Sequence, residues 1–189
     1  MGFTVVYDAC VLYPAPLRDL LVRLAITDIV TARWTDAILD ECFRSILEVR
    51  TDLTLDRLAR TRTLMNRAVR DVLVTDYESL IHGLDLPDPD DRHVVAAAIR
   101  AGAQAIVTMN LKDFPASALK PLNLEALHPD EFVLDLLDLA PGVVLRVVDD
   151  QVRALKNPPH QLHEVLDKLQ ANGLVRTTAR LRVLFGLDG

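Results

Sequence analysis

The chain has 189 residues, half of them hydrophobic and a quarter charged, with a net charge of -6. That is enough apolar material for a real core, and the acidic balance counts against simple binding to duplex nucleic acid, which favours basic surfaces. No apolar run approaches the ~20 residues that span a bilayer. The N-terminus lacks the basic and apolar stretches of a signal peptide, so a cytoplasmic location is expected. Cys10 and Cys42 form no CxxC pair and sit in apolar surroundings, so both are expected to act as small buried hydrophobes.

The predicted elements alternate. Phe3 to Tyr7 is β-rich and stops at Asp8, as a buried first strand would. Pro14 and Pro16 open a helix to about Ala25, with Leu17, Leu20, Leu21 and Leu24 on one face. Asp28 to Trp34 reads as a second strand, and Thr35 or Asp36 caps a helix through about Glu48. Thr54 starts another helix, to about Arg70. Val72 to Val74 reads as a third strand and Tyr77 to Leu84 as a short helix. The turn Leu86 to Asp91 leads into a helix from Arg92 to Arg100, stopped by Gly102. Ala105 to Thr108 is the next strand, and Leu124 to Leu127 a last, edge strand. Such alternation predicts an α/β fold: a central parallel sheet between two helical layers, Rossmann-like in arrangement. From His128 the strand pattern ends. Asp130 to Leu139, Pro141 to Lys156, His160 to Gln170 and Leu174 to Phe185 read as helices, separated by breakers at Asn157-Pro158-Pro159 and Asn172-Gly173. The expected organisation is a 1–129 α/β domain followed by a small all-helical module, 130–189.

Parallel sheets present ligands at the carboxyl ends of their strands. Asp8 ends the first strand, Asn110 and Asp113 follow the strand at 105–108, Asp91 opens the helix before that strand, and Glu41 lies on the helix after the second. Topology thus gathers Asp8, Glu41, Asp91 and Asp113 at one sheet edge. Each has a plainer reading. Asp91 can cap its helix, Asp8 can cap or brace, and Asp113 can belong to a surface turn with Asn110 as the polar ligand instead. Glu41 shares a helical column with Ala37 and Ser45, whose small side chains would admit an interior carboxylate, yet it can equally be a surface glutamate. Asp36, Asp40 and Arg44 share another column, expected to be solvated with an ion pair. Taken together, four carboxylates suit a hard cation, Mg²⁺ or Mn²⁺, that activates water against a phosphodiester. The five histidines show no metal spacing.

At these residues the chain resembles the PIN-domain nucleases, and more closely the VapC-type ribonuclease toxins. Val5-Val6-Tyr7-Asp8-Ala9-Cys10-Val11-Leu12 matches the opening strand with its first acid. Arg33-Trp34-Thr35-Asp36 through Glu41 matches the second-acid helix, Pro89-Asp90-Asp91-Arg92-His93-Val94-Val95-Ala96-Ala97-Ala98-Ile99 the third-acid helix, and Ile106-Val107-Thr108-Met109-Asn110-Leu111-Lys112-Asp113-Phe114 the last motif. The resemblance spans 3 to about 127. It implies a three-layer PIN fold and an endoribonuclease dependent on Mg²⁺ or Mn²⁺, acting on single-stranded or looped RNA. Asp8, Glu41 and Asp91 would hold one ion, and Asp113 would assist a second ion or orient water. It also implies a neutralising antitoxin partner and often a homodimer. The helical tail looks like the extension of a larger-toxin subgroup; Arg146, Arg153, Lys156, Arg176, Arg180 and Arg182 would extend an RNA surface, hold a partner or simply face solvent. Competing readings are a non-catalytic PIN scaffold and an aspartyl-phosphate enzyme. The latter lacks the second aspartate it would want at position 10, and no GxGxxG follows the first strand to support a nucleotide-binding Rossmann enzyme.

Overall fold

The computed structural model describes residues 2–156 and 158–187. In chain order the elements are β1 (Thr4–Tyr7), α1 (Ala9–Leu12), α2 (Ala15–Ile26), β2 (Thr31–Arg33), α3 (Asp36–Val49), α4 (Leu55–Ala68), α5 (Glu78–Ile81), a 3₁₀ turn at Pro89–Asp91, α6 (Arg92–Ala101), β3 (Ala105–Val107), α7 (Ala116–Leu119), β4 (Glu125–Leu127), α8 (Pro129–Leu139), α9 (Pro141–Ala154), α10 (Leu162–Ala171) and α11 (Val175–Leu184). The predicted α/β architecture is present, with a parallel four-stranded sheet in the order β2-β1-β3-β4 flanked by helices.

Local chemistry sets the helix ends. Thr35 accepts from the amide of Ile38 at 3.0 Å to start α3, and Thr54 accepts from Arg57 at 3.4 Å to start α4. Gly102 ends α6 at φ 61°, a left-handed conformation that glycine adopts without strain. The expected strand at 72–74 is a single bridge, Leu73 to Trp34, with Trp34 donating to Val72 at 3.1 Å and accepting from Val74 at 2.9 Å. The chain pairs only beyond the end of β2 and leaves immediately, so the ladder cannot extend. Asp36 and Asp40 do pair with an arginine, but it is Arg62 of α4 rather than Arg44 of their own helix. The cation reaches them across the α3–α4 contact and lies 5.6 Å over the Phe43 ring.

The sheet core is fully buried at Val5, Val6, Tyr7, Ile106 and Val107. It runs on into the helical tail without a break: Tyr7 stacks on Trp34 and meets the edge of Phe132 of α8, ring centres 6.0 Å apart. Gln151 of α9 donates to the carbonyl of Pro16 at 2.8 Å, tying the tail to the start of α2. Within the tail, α8 caps α11. The buried Asp130 carboxylate accepts from the amides of Arg176 at 2.9 Å and Thr177 at 2.8 Å, and the Thr177 hydroxyl donates to the Asp130 carbonyl at 2.9 Å. A side chain from a distant helix thus satisfies two first-turn N–H groups that α11 has no cap of its own to satisfy. The breaker at Asn157 lies outside the described residues.

Replacing Asp130 by alanine should strand those two buried amides and cost about 2 kcal/mol, read as a lower urea midpoint. An unchanged midpoint would mean that water replaces the carboxylate without penalty.

Candidate active site

The sheet order places a topological switch at β1 and β3: the chain moves to β2 on one side of β1 and returns to β3 on the other. A crevice opens where such neighbouring connections diverge, at the carboxyl ends of those two strands. Asp8 leaves β1 there and Thr108 leaves β3.

Asp8 is 3% exposed. Its amide still bonds the sheet, donating to the Val107 carbonyl at 3.1 Å. One carboxylate oxygen accepts from the amide of Ala9 at 2.7 Å; the other accepts from the Thr108 hydroxyl at 2.7 Å and the Cys10 thiol at 3.0 Å. The donors are themselves held, because Met109 N–H donates to Cys10 Sγ at 3.2 Å and Asn110 N–H to Thr108 Oγ1 at 3.0 Å. Burial pushes the Asp8 pKa up; the thiol, hydroxyl and amide pull it back, and the nearby Glu41 charge pushes it up again. Cys10 is therefore not the bland hydrophobe expected. It is half-buried, and burial together with the Asp8 charge pushes its thiol up to about 12, so it stays protonated and donates.

Asp91 ends the 3₁₀ turn and precedes α6, yet it does not cap that helix. Asp88 takes the capping work of the turn, accepting from Asp90 N–H at 2.9 Å. The half-buried Asp91 carboxylate has no hydrogen-bond or ion-pair partner among the described residues. Its pKa is raised to about 6, first by burial, then by the charges of Asp8, Asp88, Asp113 and Glu41. The four acids separated by a hundred residues of chain thus share one electrostatic neighbourhood. Asp113 is half-buried in a turn whose amide donates to the Asn110 carbonyl at 3.0 Å. Asn110 is exposed, and its side chain makes no hydrogen bond among the described residues.

Glu41, left open between an interior and a surface position, is exposed. Its column of small residues lets α6 approach, but what arrives is His93, whose Nε2 lies 3.5 Å from Glu41 Oε2. The other His93 nitrogen, Nδ1, is buried without a partner. Thr108, Cys10 and His93 were not picked out by the sequence. The only available signals were polar groups one or two residues beyond an acid or a strand end.

No lysine or arginine bridges Asp8, Glu41, Asp91 or Asp113 among the described residues. Nor does any group of three His, Cys, Asp or Glu stand close enough to ligate one ion together. The donor set is therefore hard, anionic and uncompensated, but too open for a stripped ion. That suits a hydrated cation taken by one or two carboxylates and otherwise through water, the habit of Mg²⁺.

A model of the PIN domain matches residues 4–112. The chain belongs to the PIN-domain family. A second model, the VapC50 C-terminal domain, matches residues 129–183. The protein named "Putative ribonuclease VapC50" from Mycobacterium tuberculosis (strain ATCC 25618 / H37Rv) is 47% identical over 95 residues, 50% of this chain and 56% of that relative. The chain thus spans little more than half the length of the curated relative it matches. No solved structure matches. Within this PIN domain, the acids lie where the sheet topology opens, and the resemblance to VapC-type proteins extends into the helical tail. No described helix is long and apolar enough to cross a membrane.

The electrostatics predict a stability signature without metal. The folded pKa of Asp91, about 6, lies above its unfolded value, so the folded state binds the extra proton. Metal-free stability should fall as pH rises from about 4 through about 6. Asp91→Asn should stabilise the metal-free protein at neutral pH by about 1 kcal/mol, the full shift being discounted for solvent screening, and should flatten that slope. Thermal unfolding in chelator at pH 5 and pH 7 measures both. A less stable variant would assign Asp91 a structural role.

Proposed function

We propose that this PIN-domain protein is a metal-dependent endoribonuclease, the toxin of a toxin–antitoxin pair. The observation that carries the reading is the unpartnered Asp91 carboxylate, its pKa raised by burial and by the charges of Asp8, Asp88, Asp113 and Glu41, in a crevice where no lysine or arginine pairs with the acids among the described residues. Folding four anions together costs free energy, and a site of this kind repays that cost only when a cation arrives. Mg²⁺ or Mn²⁺ would be held by Asp8, Glu41 and Asp91, one or two of them directly and the rest through water, with Asp113 assisting. Such an ion, once bound, supplies an acidified water and positive charge for the phosphate.

The chain's own residues do the positioning. The Ala9, Thr108 and Cys10 donors fix Asp8 so that its carboxylate cannot swing away with the ion. Asp91 keeps its lone pairs free because Asp88 caps the turn in its place. Glu41 sits at the solvent edge, steadied by His93, and Asp113 orients the attacking water from the opposite loop. An acidic, recessed site of this form reaches the exposed phosphates of single-stranded or looped RNA more readily than a duplex backbone. The chemistry falls to residues 1–129, with the 130–189 module as brace. Cytoplasmic RNA is the substrate this reading requires, an antitoxin protein is the partner, and a homodimer is the assembly.

Asp8→Asn and Asp91→Asn should each lower cleavage of total RNA in Mn²⁺ by at least ~100-fold, and chelator should abolish wild-type cleavage. Asp40→Asn, which touches only the Arg62 pair on the protein surface, should cut as wild type. Equal cleavage by wild type and Asp8→Asn would sink the reading, leaving a PIN scaffold that binds without cutting.

A further inference from the structure

The two segments that carry Asp91 and Asp113 do not end at those acids. They run on as the walls of a cleft of about 560 Å³, one wall formed by Leu84, Leu86 and Pro87 and the other by Pro115, Ser117 and Leu122. Pro87 precedes the Asp88 cap and Pro115 lies two residues after Asp113. Val95, one helical turn beyond Asp91, also lines the cleft. The cleft therefore adjoins the segments that carry Asp91 and Asp113, although neither acid lines it. Its size falls in the ~300–1,000 Å³ range of small-molecule sites.

Its walls are stiff and chemically mixed. Two prolines fix backbone on opposite sides, and Leu84, Leu86 and Leu122 offer apolar surface. The Ser117 hydroxyl is exposed and bonds nothing among the described residues, so it is free to donate or accept. Beside the cleft stands Arg92. Its Nε is buried without a partner among the described residues, and its only ion pair among them is a loose one, 3.9 Å to the fully exposed Asp85 at the cleft edge. A planar cation one residue after Asp91, held only loosely through its terminal nitrogens, is what an incoming phosphate needs to offset the repulsion of the carboxylates.

We propose that this cleft holds the nucleotide of a single-stranded RNA next to the scissile phosphate, its base between Leu86, Pro87 and Pro115 and its phosphate on Arg92. The proposal rests on the nuclease reading and deepens it by placing base preference here. Ser117 reads the base edge, and the apolar walls take the base faces. A protein segment is the poorer occupant, because a recess of about 560 Å³ suits one nucleotide rather than a helix or strand.

The test compares cleavage of a random-sequence single-stranded RNA library by wild type, Ser117→Phe and Arg92→Gln, with cut ends sequenced. Ser117→Phe, which fills the cleft from an exposed position, should change the base preference at one position flanking the cut. Arg92→Gln should raise KM about tenfold with kcat within about threefold, and lower the salt slope of log(kcat/KM) by about 0.7. Base preference unchanged in Ser117→Phe, or a loss in Arg92→Gln that falls on kcat alone, overturns the proposal. Asp91→Asn separates the two levels: retained cutting overturns the nuclease reading, whereas a dead Asp91→Asn with an unaltered Ser117→Phe overturns the cleft alone. If Ser117→Phe does not fold, metal-free wild type titrated with a mixed-sequence 2′-O-methyl hexanucleotide should shift the amide resonances of Ser117 and Ala118. Shifts confined to the C-terminal helices, as for an RNA or protein surface there, overturn it.

Discussion

Everything at the crevice depends on holding one buried carboxylate in place. Asp8 sits buried at the end of β1, where desolvation pushes its pKa up. Three donors pull against that rise, and two of them come from side chains that are in turn held by amides of the β3 exit. The β1–β3 ladder brings both strand ends to the same height, with Tyr7 paired to Val107. A shift of one residue in that register would remove Thr108 from Asp8 and leave the buried acid only its local donors, Ala9 and Cys10. The parallel pairing of two short strands is thus as much a part of the site as the acids.

The fold was largely legible because its signals are local. Thr35 and Thr54 cap where capping chemistry says they should, Gly102 takes the left-handed C-terminal conformation, and the strands stand out as apolar runs between helices. What escaped was decided at a distance. Val72 to Val74 has the composition of a strand but meets a partner only at Trp34, which no local propensity encodes. Arg62 rather than Arg44 answers Asp36 and Asp40 because α4 lies across α3. The capping of α11 by Asp130 joins residues 46 and 47 apart, beyond the reach of any cap rule written on neighbouring positions.

The site was legible to a different depth. Strand ends and loop order pointed to Asp8, Asp91 and Asp113, because the carboxyl edge of a parallel sheet follows from element order alone. Glu41 was placed on its helix with its depth left open: small residues on a column signal close approach without saying which element approaches or how far water follows. Thr108, Cys10 and His93 are ordinary residues whose importance exists only in the pairings β3–β1 and α6–α3. Capping at Asp91 was a genuine ambiguity, since an aspartate before a helix fits either role. It is resolved by Asp88, three residues earlier, which performs the capping and leaves Asp91 unspent.

The helical tail bears on the same network from behind. Gly173, between α10 and α11, has φ 95°, and a Cβ there would lie 3.2 Å from Met109 Cε and 3.5 Å from a His128 carbon. Met109 is the residue whose amide holds the Cys10 sulfur, and the sulfur in turn donates to Asp8. The tail therefore packs, through a glycine that leaves no room, against the side chain whose backbone steadies the buried acid. An alanine there would meet both strain at positive φ and a contact only the Met109 side chain can relieve. The appended helices are joined to the sheet by core contacts, by Gln151 and by this close approach, so the position of the β3 exit is set jointly by the strand ladder in front and the tail behind.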